Sequence, residues 1–304
     1  MGRSKEKYDT PAVRLGVLLA LRRHKSEKVA EFLADADTKI VSEAAMAIHD
    51  ERIEAAYPKL AAIADRNGLA HAAAFRAIAA NHTLGAKENA ERVAKIATRA
   101  DMPDHLRIFA LKLLATWSNP PRRDPITGLI HDLPKRGATL ATDALKPNIA
   151  GAFIGSDAGR TEAVASSSKL GIKEVGPLLL KLVKDATVSA TNRADALLAL
   201  AAVKDAGLAD ATTFALASDL PKLRAAGLLV QKPEVAMKAI PTLLDDAKAS
   251  VEEKQAAFAI LGKAPESEAA DKTLDRWLQA DAPNELALDI IEAAGYTAGR
   301  YIWI

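Results

Sequence analysis

The chain has 304 residues, enough for two ordinary domains or one elongated array, with 49% apolar residues of which few are aromatic. Its 41 Lys and Arg against 39 Asp and Glu leave a formal charge of +2, too balanced for a dedicated binder of nucleic acid or of an acidic membrane. Cysteine is absent, which excludes disulfides, cysteine–zinc centres, thiol catalysis and covalent c-type haem.

The N-terminus MGRSKEKYDTP has no apolar signal core, and no run approaches the ~18 apolar residues of a membrane span. The first predicted helix follows, with Thr10 as N-cap, Pro11 at the first helical position, and Val13, Val17, Leu18 and Leu21 on one face of VRLGVLLAL. Similar segments recur along the chain. They begin at Val41, His71, Leu106, Arg160, Asn192, Leu223, Lys254 and Leu286, at intervals of 28, 30, 35, 54, 32, 31, 31 and 32 residues.

Between them lie partner helices such as SEKVAEFLADA, AAYPKLAAIAD, NAERVAKIATR, VGPLLLKLVKDA, VAMKAIPTLLDDA and AADKTLDRWLQA. Two helices per ~30 residues predict an all-α fold, an α-solenoid of about eight to nine helical hairpins. Gly68, Gly85, Gly171, Gly207 and Gly262 fall between helices, and Pro103, Pro221 and Pro283 near helix starts.

The 54-residue interval exceeds its neighbours by about the length of NPPRRDPITGLIHDLPKRG, residues 119–137, which is proline-rich and has no helical period. The expected organisation is therefore N-terminal repeats over 1–118, an insertion loop over 119–137, and further repeats over 138–304 in one continuous solenoid. Insertions of this kind map to one edge of such arrays and are often where partners bind. The prolines restrict the loop's freedom, and Trp117, Arg122, Arg123, Asp124, His131 and Asp132 are its candidate contact residues. An alternative gives Trp117 a core position and pairs Arg123 with Asp124 or a helix end.

Several units open with an acid or small polar group, an apolar residue and a basic one: Asp9 with Val13 and Arg14, Asp104 with Leu106 and Arg107, Asn192 with Arg193, and Leu223 with Arg224. In this they resemble HEAT repeats. Val41 followed by Ser42, and the units opening at His71 and Lys254, depart from the pattern. The resemblance implies that the second helices line a concave surface, which makes Arg14, Arg107, Arg193 and Arg224 candidate partner-binding residues.

Residues 10–150 more specifically resemble the HEAT-repeat region of large membrane-bound dehydrogenase or haem-binding proteins of planctomycete-type bacteria. The stretches VRLGVLLALRRHKSEKVAEFLADADTKIVSEAAMAIHD, PDHLRIFALKLLATWSNPPRRDPITGLIHDLP and ALKPNIAGAFIG carry that resemblance. In that family a sugar-dehydrogenase-like propeller precedes the repeats and a cytochrome c domain follows. This sequence has neither flank and no CxxCH, so the resemblance carries no redox activity or cofactor onto it. The chain opens on what reads as the second helix of a repeat and closes on the apolar YIWI, so a fragment, or a subunit whose ends dock elsewhere, is expected. The resemblance implies an exported setting; Met1 as the true start implies a cytoplasmic one.

Catalytic patterns are weak. His24, His49, His71, His82, His105 and His131 form no HExxH pair or ligand cluster, and His49 is expected to meet the last carbonyls of its helix. Ser166, Ser167 and Ser168 lie outside any nucleophile elbow, and GSDAGR is a helix start capped by Ser156 or Asp157. No metal site and no enzymatic activity are expected. The leading expectation is a scaffold or interdomain spacer that binds protein through its second helices and the 119–137 loop. The alternative is the repeat module of an exported redox protein. A weaker one is a DNA-backbone binder, since Arg14, Arg22, Arg23, Arg76, Arg107 and Lys112 form a modest basic set interrupted elsewhere by Glu43, Asp195, Glu253, Asp289 and Glu292. Residues 1–28 carry eight basic and three acidic groups (+5), and residues 264–304 three and eight (−5). These are two solvated ends, or the halves of a head-to-tail contact.

Overall fold

The computed structural model describes residues 10–263, 268–279 and 283–296. Parts of the two oppositely charged ends, and the YIWI segment, lie outside these residues. The described chain is all-α, a solenoid of helical hairpins with 17 α-helices and no strand. It groups into two compact units, residues 1–172 and 173–304.

In the first unit α1 (Pro11–Arg23), α2 (Thr38–Asp50), α4 (His71–Leu84), α6 (Asp104–Ala115) and α9 (Asp157–Lys169) are five of the recurring segments. They pack in series, α1 on α2, α2 on α4, α4 on α6 and α6 on α9. The 3₁₀ helix Glu27–Ala34 packs on α2, α3 (Tyr57–Ala62) on α4, and α5 (Lys87–Thr98) on α6. After the insertion come α7 (Leu140–Leu145), which packs on α5, and α8 (Ile149–Ala152).

The second unit repeats the scheme. Its stacked helices are α11 (Ala190–Ala202), α13 (Pro221–Val230), α15 (Val251–Lys263) and α17 (Asn284–Tyr296), and their respective partners are α10 (Gly176–Lys184), α12 (Leu208–Leu216), α14 (Pro233–Asp245) and α16 (Glu268–Gln279). Every predicted recurring segment is thus a helix, and within each unit consecutive ones touch. Because each hairpin buries its apolar stripe only against its neighbours, the order of the sequence is the order of the stack.

Small residues set the spacing. Ala44, Ala45 and Ala47 of α2 and Ala73, Ala74 and Ala77 of α4, two helices that pack together, are fully or nearly buried. Gly262 lets α15 approach α17, since a Cβ there would lie 2.9 Å from the Ala293 backbone. Thr10 caps α1 by accepting from the Val13 N–H at 3.3 Å, and Ser156 caps α9 by accepting from Gly159 at 3.1 Å. One partner segment departs from expectation, since Glu27–Ala34 is wound as a 3₁₀ helix.

The ends of the stacked helices share a device that the glycines only partly revealed. After α4 and α9 the chain turns through left-handed Gly85 (φ 73°) and Gly171 (φ 65°); after α1, α2 and α11 it does so through Lys25 (φ 49°), Arg52 (φ 54°) and Lys204 (φ 55°). At Lys25, Arg52, Gly171 and Lys204 the paired bonds of a Schellman cap form, as in Arg52 N–H to His49 O at 3.2 Å and Ile53 N–H to Ile48 O at 2.9 Å.

Candidate functional site: the insertion loop and its anchors

The loop at 119–137 builds itself around Asp124. One carboxylate oxygen of Asp124 accepts from the Ile126 N–H at 2.9 Å, the Thr127 N–H at 2.7 Å and the Thr127 hydroxyl at 3.1 Å, an Asx turn completed by Gly128 at φ 70°. Asp124 N–H donates to Leu129 O at 2.9 Å and His131 N–H to Arg122 O at 2.8 Å, which closes a short antiparallel bridge between Arg123 and Ile130. Arg123 donates to Gly128 O at 2.9 Å rather than pairing with Asp124, and Arg122 pairs with Asp132 at 2.8 Å in solvent.

Three anchors hold this hairpin on the first unit. The second oxygen of Asp124 lies 3.3 Å from His49 Nε2 at the end of α2, an ionic contact rather than an aligned hydrogen bond. Arg52, in the cap that follows α2, donates to Ile130 O. At the far end of the loop, Arg136 donates its N–H to Ser118 O at 3.0 Å and its guanidinium to Thr83 O at 3.3 Å, and lies 5.2 Å from the centroid of the Trp117 ring. Gly85 makes room for it, because a side chain there would collide with the guanidinium. Trp117 is 1% exposed and meets His82 edge-on at 5.3 Å, so it takes the core position.

His49 is 2% exposed, and its ring stands between two acids. Nδ1 lies 3.2 Å from Asp50, which Arg76 of α4 grips through both oxygens at 2.9 and 2.8 Å. Burial opposes a charge on His49, yet Asp124 and Asp50 outweigh it and raise its pKa. Burial likewise opposes a charge on Asp124, but His49 and the amides of Thr127 and Ile126 hold its carboxyl far below the usual carboxylate range. The neighbouring His82 behaves oppositely: burial, then the Arg136 charge, push it down to about 3. Burial lowers Arg136 to about 10. His131 is shifted down by burial and by Arg52.

With the loop pinned, its apolar tip points outward: Leu129 is 58% and Ile130 55% exposed. The loop thus brings Arg122, Arg123, Asp124, His131 and Asp132 into one element that Trp117 adjoins, with Trp117 and Asp124 turned inward. Leu129 and Ile130 were missed in the sequence, although an apolar doublet inside a polar, proline-rich stretch is a signal for them.

The four repeat arginines are placed apart. Arg107 is 4% exposed and donates to Ala97 O at 3.4 Å, Gly151 O at 2.6 Å and Asp104 at 3.1 Å. Arg193, also buried, donates to Val183 O at 2.9 Å. Arg107 and Arg193 each reach back ten residues to the C-terminal end of the partner helix before them. Arg14 grips Asp35 at 2.8 and 3.2 Å, and Arg224 grips Glu253 at 2.7 and 2.9 Å. They stitch neighbouring elements of the stack.

Among the described residues no group of three or more His, Cys, Asp or Glu is placed to hold a metal ion, and no helix is long and apolar enough to cross a membrane. No protein-family model matches the chain, and no curated protein does. Among solved structures, the chain is similar to the complex of CpcE and CpcF of phycocyanin lyase from Nostoc sp. PCC7120, with 15% identity over 81% of this chain and 91% of that one and a TM-score of 0.37. The comparisons do not support the resemblance to planctomycete-type dehydrogenases. The expectation that the chain has no enzymatic activity is also withdrawn, because the structure it is similar to is that of a lyase. A likeness at that TM-score assigns no activity in its place.

Proposed function

We propose that this helical-repeat chain is a protein-binding scaffold and that the 119–137 loop is its docking element. The observation that carries this reading is the contrast within the loop. Its inward groups, Asp124, Arg136 and the adjoining Trp117, fix the backbone against the first unit, while Leu129 and Ile130 stand exposed at the tip. Ordering a loop before binding removes part of the entropy lost on association, and exposed apolar residues on a fixed frame are suited to a pocket on a partner protein.

The repeat arginines support the same assignment by what they do instead. Arg107 and Arg193 are buried on backbone carbonyls, and Arg14, Arg76 and Arg224 are paired with carboxylates, so these cations are not free to neutralise phosphates along a nucleic-acid backbone. The test is retention of partner protein by the immobilised chain and by a Leu129→Asp/Ile130→Asp variant with an unchanged melting curve. A partner held by the natural chain and lost by the variant supports the proposal; a partner held equally by both overturns it.

A further inference from the structure

We infer that one of the loop's three anchors is closed by a buried proton: His49 is an imidazolium held between Asp124 and Asp50, and its deprotonation loosens the Asp124 turn from the end of α2. The geometry requires both ring nitrogens to face oxygen, Nε2 to Asp124 at 3.3 Å and Nδ1 to Asp50 at 3.2 Å. A neutral imidazole has one N–H and one lone pair. It would therefore face a carboxylate with a lone pair or with no charge to offset it in a buried site, whereas the imidazolium donates to Asp50 from Nδ1 and sets its positive charge against Asp124 at Nε2.

Neither acid is free to turn away. Asp50 is clamped by Nε and Nη2 of Arg76, and the other oxygen of Asp124 is occupied by the Ile126 and Thr127 amides. The remaining charged and titratable groups around His49 come from each element packed there. Arg52 lies in the cap after α2 and Glu54 in the short turn that follows, while Tyr57 opens α3 with its ring 6.2 Å from that of His49. His131 comes from the loop itself, where burial and Arg52 disfavour its charged form. The two carboxylates in contact with the ring, not these more distant groups, set its protonation, and burial works against them.

The sign follows. A histidine whose pKa is raised in the latched state contributes holding strength in full below its ordinary value of 6.5 and loses it as pH rises through the raised value. Within that window the latching equilibrium weakens by about tenfold per pH unit. The loop is therefore held most firmly below 6.5 and loosened as pH rises through the raised value. The latch itself does not depend on what binds the loop; only its consequence for binding rests on the docking reading.

The test is NMR titration of the His49 ring, with hydrogen exchange of the Asp124, Gly128 and His131 amides followed over the same pH range and corrected for intrinsic rates. We expect His49 to titrate above 6.5 and the protection of these amides to fall, by about tenfold per pH unit, as His49 loses its proton. Asp124→Asn should bring His49 back towards 6.5 and abolish the step, while Arg122→Ala, which removes only a solvent-exposed pair, should leave both unchanged. A wild-type His49 that titrates at or below 6.5, or loop protection without a step through its titration, overturns the latch whether or not the variants fold. A step in a chain whose partner binding ignores Leu129 and Ile130 upholds the latch and refutes the docking reading alone.

Discussion

Asp124 of the insertion loop and His49 at the end of α2 meet at 3.3 Å, both nearly excluded from solvent. The contact joins a segment without helical period to a helix two hairpins earlier. Asp124→Ala removes the partner of a buried histidine and the acceptor of three donors in the Asx turn. A loss of about 3 kcal/mol is expected in urea unfolding. Its pH dependence has two limbs. The His49 contribution is present below 6.5 and lost as pH rises through its raised pKa; that of Asp124 is present above 3.8 and lost as pH falls through its lowered one. The difference between wild type and variant should therefore be largest between those two values, which paired melts at pH 3, 5.5 and 9 would check.

Trp117 fixes the near end of the loop from inside the core, with His82 at its edge and Arg136 over its face. Trp117→Ala should cost about 3–5 kcal/mol, as large-to-small changes of buried aromatics do. Trp117→Phe keeps most of the packing and should cost clearly less. Equal losses in chemical denaturation would show that Trp117 does not pack as described.

Lys25 and Lys204 occupy the same left-handed cap position as Gly171, and both are exposed. A β-carbon is unfavourable there, so Lys25→Gly and Lys204→Gly should each stabilise the chain by about 0.5–1 kcal/mol, a gain few surface substitutions give. Gly171→Ala, with open space around it, should lose about 1 kcal/mol through backbone strain alone. Differential scanning calorimetry would register all three.

Arg107 connects α6 to the end of α5 and to the backbone of α8 through Ala97 and Gly151. Arg107→Ala should lower stability by about 2–3 kcal/mol, since carbonyls are left without a donor in a buried site. Arg107→Lys should recover little of this, because one ammonium cannot reproduce the fork that reaches Ala97, Asp104 and Gly151 together.

The sequence made the repeats legible because their Ala- and Leu-rich segments alternate with partner helices at a near-constant spacing, and each such segment is a stacked helix. The loop was legible for the opposite reason: prolines and the absence of period mark where the spacing breaks. What holds the loop was not. His49 was expected to cap its own helix, yet it is the Tyr57 hydroxyl that reaches His49 O, at 3.3 Å, while the His49 ring faces Asp124. That contact spans several turns of chain and has no local signature. The left-handed Lys25, Arg52 and Lys204 were hidden because nothing in those residue types announces positive φ; only their register with Gly85 and Gly171 betrays it. The HEAT-like arginines were recognised by position, but a motif does not tell whether a cation faces a partner or a neighbouring carbonyl.

That the loop is a fixed docking element is tested most directly by site-specific photo-crosslinking. A photoreactive phenylalanine analogue would replace Leu129 in one preparation and the exposed Leu198 of α11 in another, each irradiated in an extract of the source cells. The expected result is a discrete adduct from position 129, suppressed by Ile130→Asp, and none from position 198. An adduct from position 198 alone would contradict it and move the binding surface onto the stacked helices.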